Sequence, residues 1–178
     1  MRWYWIDRFT EFVSGKTATA IKSIGLCEEE VDLYLPCHPV FPHSLVIEGL
    51  AQTGGILVAE RSNFEGRVVL AKVSHATFHD IAIPGDTLTY TATIQTLQAS
   101  GALVKGTSYK GDQLHAEIDL FFAQLEGERF DDVVLFEPDE LLRMLRVWKM
   151  YDVAKNEDGS PLRIPDHMLE AERKTNSS

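Results

Sequence analysis

Residues Tyr34 to Gly55 read YLPCHPVFPHSLVIEGLAQTGG, and the fold turns on this stretch. Its first half carries Pro36, Pro39 and Pro42, so it suits neither a helix interior nor a sheet interior. Its second half places Leu45, Val46, Ile47, Leu50 and Ala51 around the helical wheel, and Ile56, Leu57 and Val58 continue the pattern. A helix that is apolar on every face is buried. Ser44 is the expected N-cap, and the helix is expected to run to about Ser62. One carboxylate, Glu48, interrupts the apolar surface. An ionisable group in that setting must find a partner or hold a shifted pKa, and a catalytic acid needs both.

Outward from the helix, the pattern is that of strands. Trp5 to Val13 and Lys16 to Ile24 are β-rich runs on either side of Ser14-Gly15, a hairpin signal. Val68 to Ile83 is extended and closes on Pro84-Gly85-Asp86. In Asp86 to Leu97, Leu88, Tyr90, Ala92 and Ile94 face inward while Thr87, Thr89, Thr91 and Thr93 face out. The same period of two runs through Leu114, Ala116, Ile118, Leu120 and Phe122. Ser100-Gly101 and Gly111-Asp112 are turn dipeptides, so these strands form an antiparallel meander. A long antiparallel sheet and one helix that is apolar all round must pack with the sheet wrapped about the helix, an α+β arrangement.

Pro138 to Met150 is amphipathic, with Leu141, Leu142, Leu145 and Trp148 on one face. The remainder is polar and Pro-bearing. The expected organisation is a sheet-and-helix domain over 1–125, a helical extension over 126–154 and a loosely ordered tail over 155–178.

With 178 residues, the chain is long enough for one domain with a substantial core. Its net charge of −10, from 27 acids and 17 bases, disfavours nucleic acid as a partner. No Gly-rich phosphate loop occurs. No run of eighteen apolar residues and no signal or transit pattern is present, so no membrane partner is expected and the expected location is cytoplasmic. Cys27 and Cys37 are expected as free thiols in that compartment. His75 and His79 lie four apart in a strand, about 13 Å, too far to share a metal, and neither a metal nor a cofactor is expected. Asp86 is read as a turn residue and Asp80 as a solvated charge at a strand end. Trp3, Trp5 and Trp148 are read as core or interface residues.

Three ordered segments carry a family resemblance: IDRFTEFVSGKTATAIKSI from Ile6, PVFPHSLVIEGLAQTGGIL from Pro39 and FHDIAIPGDTLTY from Phe78. From Ile6 to about Leu125 the chain resembles the 3-hydroxyacyl-[acyl carrier protein] dehydratases of the hot-dog fold. In that family the loop before the helix reads His-Phe-Pro-Gly, with a Glu fourteen residues after the His. Glu48 stands at the Glu position and Tyr34 at the His position. Leu35, Cys37 and His43 replace the family's Phe and two glycines.

The resemblance implies a homodimer or higher homo-oligomer, in which the loop of one subunit meets the helix carboxylate of the other. It implies a substrate held as an acyl-phosphopantetheine thioester, on acyl carrier protein or coenzyme A. The expected catalytic residues are Glu48, Tyr34 and His43, and the expected substrate-binding residues are His38, Ser44 and Gln52. Elimination of water from a 3-hydroxyacyl thioester needs a base for the α-proton, an acid for the departing hydroxyl and donors for the enolate-like oxygen. The helix start offers those donors. Tyr34 is a poor base: with a pKa of about 10, roughly one in a thousand is ionised at neutral pH. His43 and His38 are the alternative bases. Three functions follow for this chain. It is a dehydratase of fatty acid metabolism with reduced activity, a catalytically weakened acyl-thioester binder or heteromeric partner subunit, or a thioesterase in which Glu48 activates water.

Overall fold

Gly15, at φ +70°, turns the first hairpin between β1 (Arg8–Val13) and β2 (Thr17–Ser23), as expected from Ser14-Gly15. The computed structural model describes residues 4–29, 31, 38–125 and 134–177. Among them β3 (Val68–Phe78), β4 (Thr87–Gln98), β5 (Gly101–Lys110) and β6 (Gln113–Gln124) complete an antiparallel set. With β7 (Ala154–Lys155), which runs parallel to β1, the sheet order is β3-β6-β5-β4-β2-β1-β7.

The period-2 reading holds for most of both strands, while Ile94 and Leu114, expected inside, are only partly buried. Leu88, Tyr90 and Ala92 of β4 and Ala116, Ile118, Leu120 and Phe122 of β6 are buried on the inner face. The outer face is hydroxyl-rich: Thr17 and Thr19 meet Thr93 and Thr91 across β2 and β4 at 3.4 and 3.3 Å. Pro84 and Gly85 occupy the centre of a turn in which Asp86 N–H donates to the Ile83 carbonyl at 3.0 Å. Gly85 takes φ +97°, which only glycine adopts without cost, and the Asp86 carboxylate accepts the Ile83 N–H. Asp86 is thus the turn residue expected. Asp80 is ion-paired with Lys110.

The inner face wraps α1 (His43–Glu60), which packs against β2 through β6. Glycines set the approach. A Cβ at Gly106 would lie 3.1 Å from Leu50, and one at Gly54 would lie 3.1 Å from the Phe122 ring. The helix begins one residue before the expected cap: Pro42, at φ −59°, is the N-cap and no side chain caps the first turn. Ser44 is instead the second helical residue and is exposed. A proline already holds a helix-compatible φ and has no N–H to satisfy. The helix ends at Glu60 rather than Ser62, followed by left-handed Asn63 and Phe64.

Past the sheet come α2 (Pro138–Val147), α3 (Met150–Val153) and α4 (Asp166–Thr175). Leu141, Leu142, Leu145 and Trp148 are buried as the amphipathic pattern requires. The extension is sewn to the sheet: Phe9 N–H donates to the Trp148 carbonyl at 2.8 Å, and Ser14 N–H to the Lys155 carbonyl at 2.9 Å. The tail over 155–178 departs from expectation. It carries α4, which packs on α2 with Met168 fully buried and Arg146 holding Glu172 through two hydrogen bonds of 3.1 and 2.9 Å. Met168 supplies the apolar anchor that fixes an otherwise charged helix.

Candidate functional site

The inward packing of α1 leaves one strip of the helix accessible. Ser44 is exposed, and Ile47, Glu48, Gln52, Gly55 and Ala59 are partly so. Residues four apart lie on the same face of a helix, so Ser44, Glu48 and Gln52 form one row. Gln52 fixes the carboxylate. Its Oε1 accepts the Trp5 N–H at 2.9 Å, which leaves Nε2 to donate to Glu48 Oε1 at 3.3 Å. Two elements distant in sequence therefore orient one acid at the surface of the helix.

Glu48 and Gln52 open onto a cleft of about 1070 Å³. One wall is α1 and the floor includes Phe122. Residues between Phe64 and Leu70 line it too, as does the extension through Leu135, Phe136, Met144 and Val147, with Glu137, Glu140 and Arg143 beside them. A cleft of that size, mostly apolar with a few polar groups, has the character of a small-molecule site.

His43 belongs elsewhere. Five helical positions from Glu48, it is turned by about 140° from it. Its ring stacks on Phe78 with centroids 3.9 Å apart and planes 4° from parallel. Phe78 also meets His115 edge-on, with ring centroids 6.2 Å apart. His115 is fully buried, and its Nδ1 lies 3.1 Å from Ser108 Oγ. Burial lowers the pKa of both imidazoles, and the positive charges of His43 and Lys110 lower that of His115 further.

Within one chain, then, Ser44, Glu48 and Gln52 come together and His43 does not join them. His38 is exposed ahead of the helix. Tyr34 and Cys37 lie outside the described residues, as does Trp3. His75 bonds Thr77, and His79 faces Glu117 at 3.4 Å. Among the described residues no group of His, Cys, Asp and Glu is placed to hold a metal, and no helix is long and apolar enough to cross a membrane.

Sequence reasoning missed His115. Alternation through Leu114 and Ala116 leaves position 115 on the outer face, but a bulge where Ser108 and Tyr109 pair with Ala116 and Leu114 turns it inward. It also missed the part of the extension in the cleft. The apolar run Val134-Leu135-Phe136 was the available signal.

A sheet wound around one helix that presents a single oriented carboxylate defines the class, and comparison places the chain in it. Residues 3–118 match the FabA-like domain, and the protein belongs to that family. Among the relatives it matches are 3-hydroxyacyl-[acyl-carrier-protein] dehydratases of the FabZ type. That of Symbiobacterium thermophilum is 33% identical over 123 residues, spanning 68% of this chain and 87% of the relative. Among solved structures, the dehydratase heterocomplex ApeI:P from Xenorhabdus doucetiae aligns at TM-score 0.58 and 12% identity, over 80% of this chain and 90% of that one. A Streptococcus mutans protein solved bound to acetyl CoA aligns at TM-score 0.55 and 13% identity, over 66% and 87%. The fold is the hot-dog fold expected from the resemblance.

Proposed function

We propose that the protein is a hydro-lyase acting on 3-hydroxyacyl thioesters of an acyl carrier protein, in fatty acid metabolism in the cytoplasm, with Glu48 as the principal acid–base group. The observation that carries this reading is the placement of Glu48: it lies in an apolar cleft and is oriented by Gln52, in a chain one-third identical to FabZ dehydratases. In the reaction a proton leaves C2, the C2–C3 double bond forms, and the C3 hydroxyl departs with a proton as water. Glu48 supplies the proton to the hydroxyl. Backbone N–H groups at the start of α1, beside Ser44, stabilise the thioester oxygen as charge develops there.

The base comes from the loop of a second subunit. Tyr34 of that loop takes the place where the family has His, and its weakness as a base sets a reduced turnover. His38, exposed on the approach to the helix, is the alternative. β3, an edge strand exposed along most of its length, is the surface through which two copies join.

The assay that tests the proposal follows enoyl formation and thiol release in parallel on a 3-hydroxyacyl thioester. Enoyl product without thiol release is expected, and Glu48→Gln should lower its rate by about 10²–10⁴-fold with little change in thermal midpoint. Thiol release without enoyl product would make the protein a thioesterase.

One observation favours a second reading. Tyr34 at the His position, together with alignment to a chain of a dehydratase heterocomplex, fits a subunit that lends Glu48 to a partner bearing the His. Turnover that appears only on mixing with such a partner would establish it.

A further inference from the structure

We infer that the C-terminal extension, with Gly55, measures the length of the acyl group: the cleft running from Glu48 along α1 is the acyl pocket, and the extension closes its far wall. The inference rests on the reading of Glu48 as part of a thioester site. The family match ends at residue 118, so the wall lies outside the matched residues.

Three observations carry it. Glu48 and Gln52 line the same cleft as Leu135, Phe136 and Val147 of the extension. The accessible row from Glu48 to Ala59 extends about 16 Å along the helix, well beyond a two-carbon acyl group. The extension keeps apolar side chains open at the cleft: Val134, Phe136 and Val147 are 64%, 55% and 52% exposed and line it together, with Glu137, Glu140 and Arg143 also in the lining. Apolar side chains exposed together around a cleft mark a binding surface. The occupant must be apolar, flexible and attached to a group that reaches Glu48, which describes an acyl chain on a thioester.

Gly55 sits on the pocket side of α1. A Cβ there would meet only the Phe122 ring, at 3.4 Å, an ordinary contact. A larger side chain at this position therefore extends into the cleft without forcing the helix off the sheet. By contrast, a Cβ at the neighbouring Gly54 would lie 3.1 and 3.2 Å from Phe122 and Val104, tighter than an ordinary contact. The absence of a side chain at Gly55 keeps the channel between Glu48 and the extension open.

The test uses the full chain and non-hydrolysable acyl-pantetheine amides from four to twelve carbons, with binding read by calorimetry so that turnover is not needed. Affinity should rise by about fourfold for each added methylene until the pocket is filled. Gly55→Leu should cut that rise short, with a loss that grows with chain length. Phe136→Ala, at an exposed position where folding is not at stake, should weaken the longest ligands about tenfold and the shortest far less. If the short amides bind but affinity is flat with length, or if both variants weaken every length equally, the pocket assignment is wrong and the thioester reading survives. If no amide binds at any length, both fail. A change in sedimentation of Phe136→Ala would instead assign this wall to a contact between copies and overturn the inference.

Discussion

The ring of Tyr90 occupies the space a side chain at Gly49 would need. A Cβ at Gly49 would lie 2.4 Å from Tyr90 Cε2 and 2.9 Å from the Trp5 carbonyl oxygen. Tyr90 is fully buried and the carbonyl is backbone, so neither yields easily. Gly49→Ala therefore sets two effects against each other: a helix-propensity gain of about 1 kcal/mol and an overpacking cost of about 1–3 kcal/mol. The clash should win, giving a net loss read as a lower denaturant midpoint. Because Gly49 follows Glu48, the same variant should also slow turnover. Unchanged stability would mean that α1 is not clamped at this point.

Position 115 predicts a pH dependence. His115 is buried, and its pKa is lowered below 6.5, first by burial and then by His43 and Lys110, against Asp80 and Asp86. The unfolded chain takes up the proton first. Stability is therefore fully present above pH 6.5 and is lost as pH falls from there toward the folded-state value. His115→Gln should flatten the decline in thermal midpoint between about pH 7 and 5, leaving the part due to His43. An identical slope in the variant would show that His115 does not titrate with unfolding.

Glu60 has the opposite sign. It is buried at the end of α1, and burial raises its pKa, although the Ser14 hydroxyl at 2.8 Å and Arg61 pull it down. A raised carboxyl pKa gives stability that is fully present below the unfolded value of 4.5 and is lost as pH rises through the folded value. Glu60→Gln keeps an acceptor for Ser14 and removes the charge. Its unfolding free energy should equal or exceed that of the parent at neutral pH, with the gap closing below pH 4.5. A less stable variant at neutral pH would mean that the charged form is well paired.

Tyr34→His tests the proposed loss of the base. General base catalysis is worth about 10²–10⁴-fold, and enoyl formation should rise by a factor in that range if proton abstraction limits the rate. No rise, even with Cys37→Gly and His43→Gly added and the protein still folded, would remove Tyr34 from the site.

What the sequence disclosed followed from local rules. Ser14-Gly15, Pro84-Gly85-Asp86 and the alternation through Leu88, Tyr90 and Ala92 each depend on near neighbours, and each reads correctly. The apolar wheel of α1 disclosed burial, and Glu48 stood out against it. Long-range relations escaped. Gln52 is oriented by Trp5, 47 residues away, and no periodicity announces that bond. A bulge turned His115 inward, and bulges leave little trace in a hydropathy pattern. The tail looked unstructured because α4 buries Met168 within a run of charge, too little apolar surface to register before the partner helix is known.

The pairing of β7 with β1 has a consequence for growth. Beside Phe12 and Val13, and with the Phe9 and Ser14 N–H groups also taken, the extension uses up hydrogen-bonding capacity that β1 would otherwise offer to any passing strand. Among the described residues β3 remains the uncovered side. A sheet with two open sides offers further copies a place to pair at each edge. A sheet with one can join a single copy of itself about a two-fold axis, after which nothing is left to recruit a third by the same route. The C-terminal strand, two residues long, thus shortens the stretch of β1 left open to pairing.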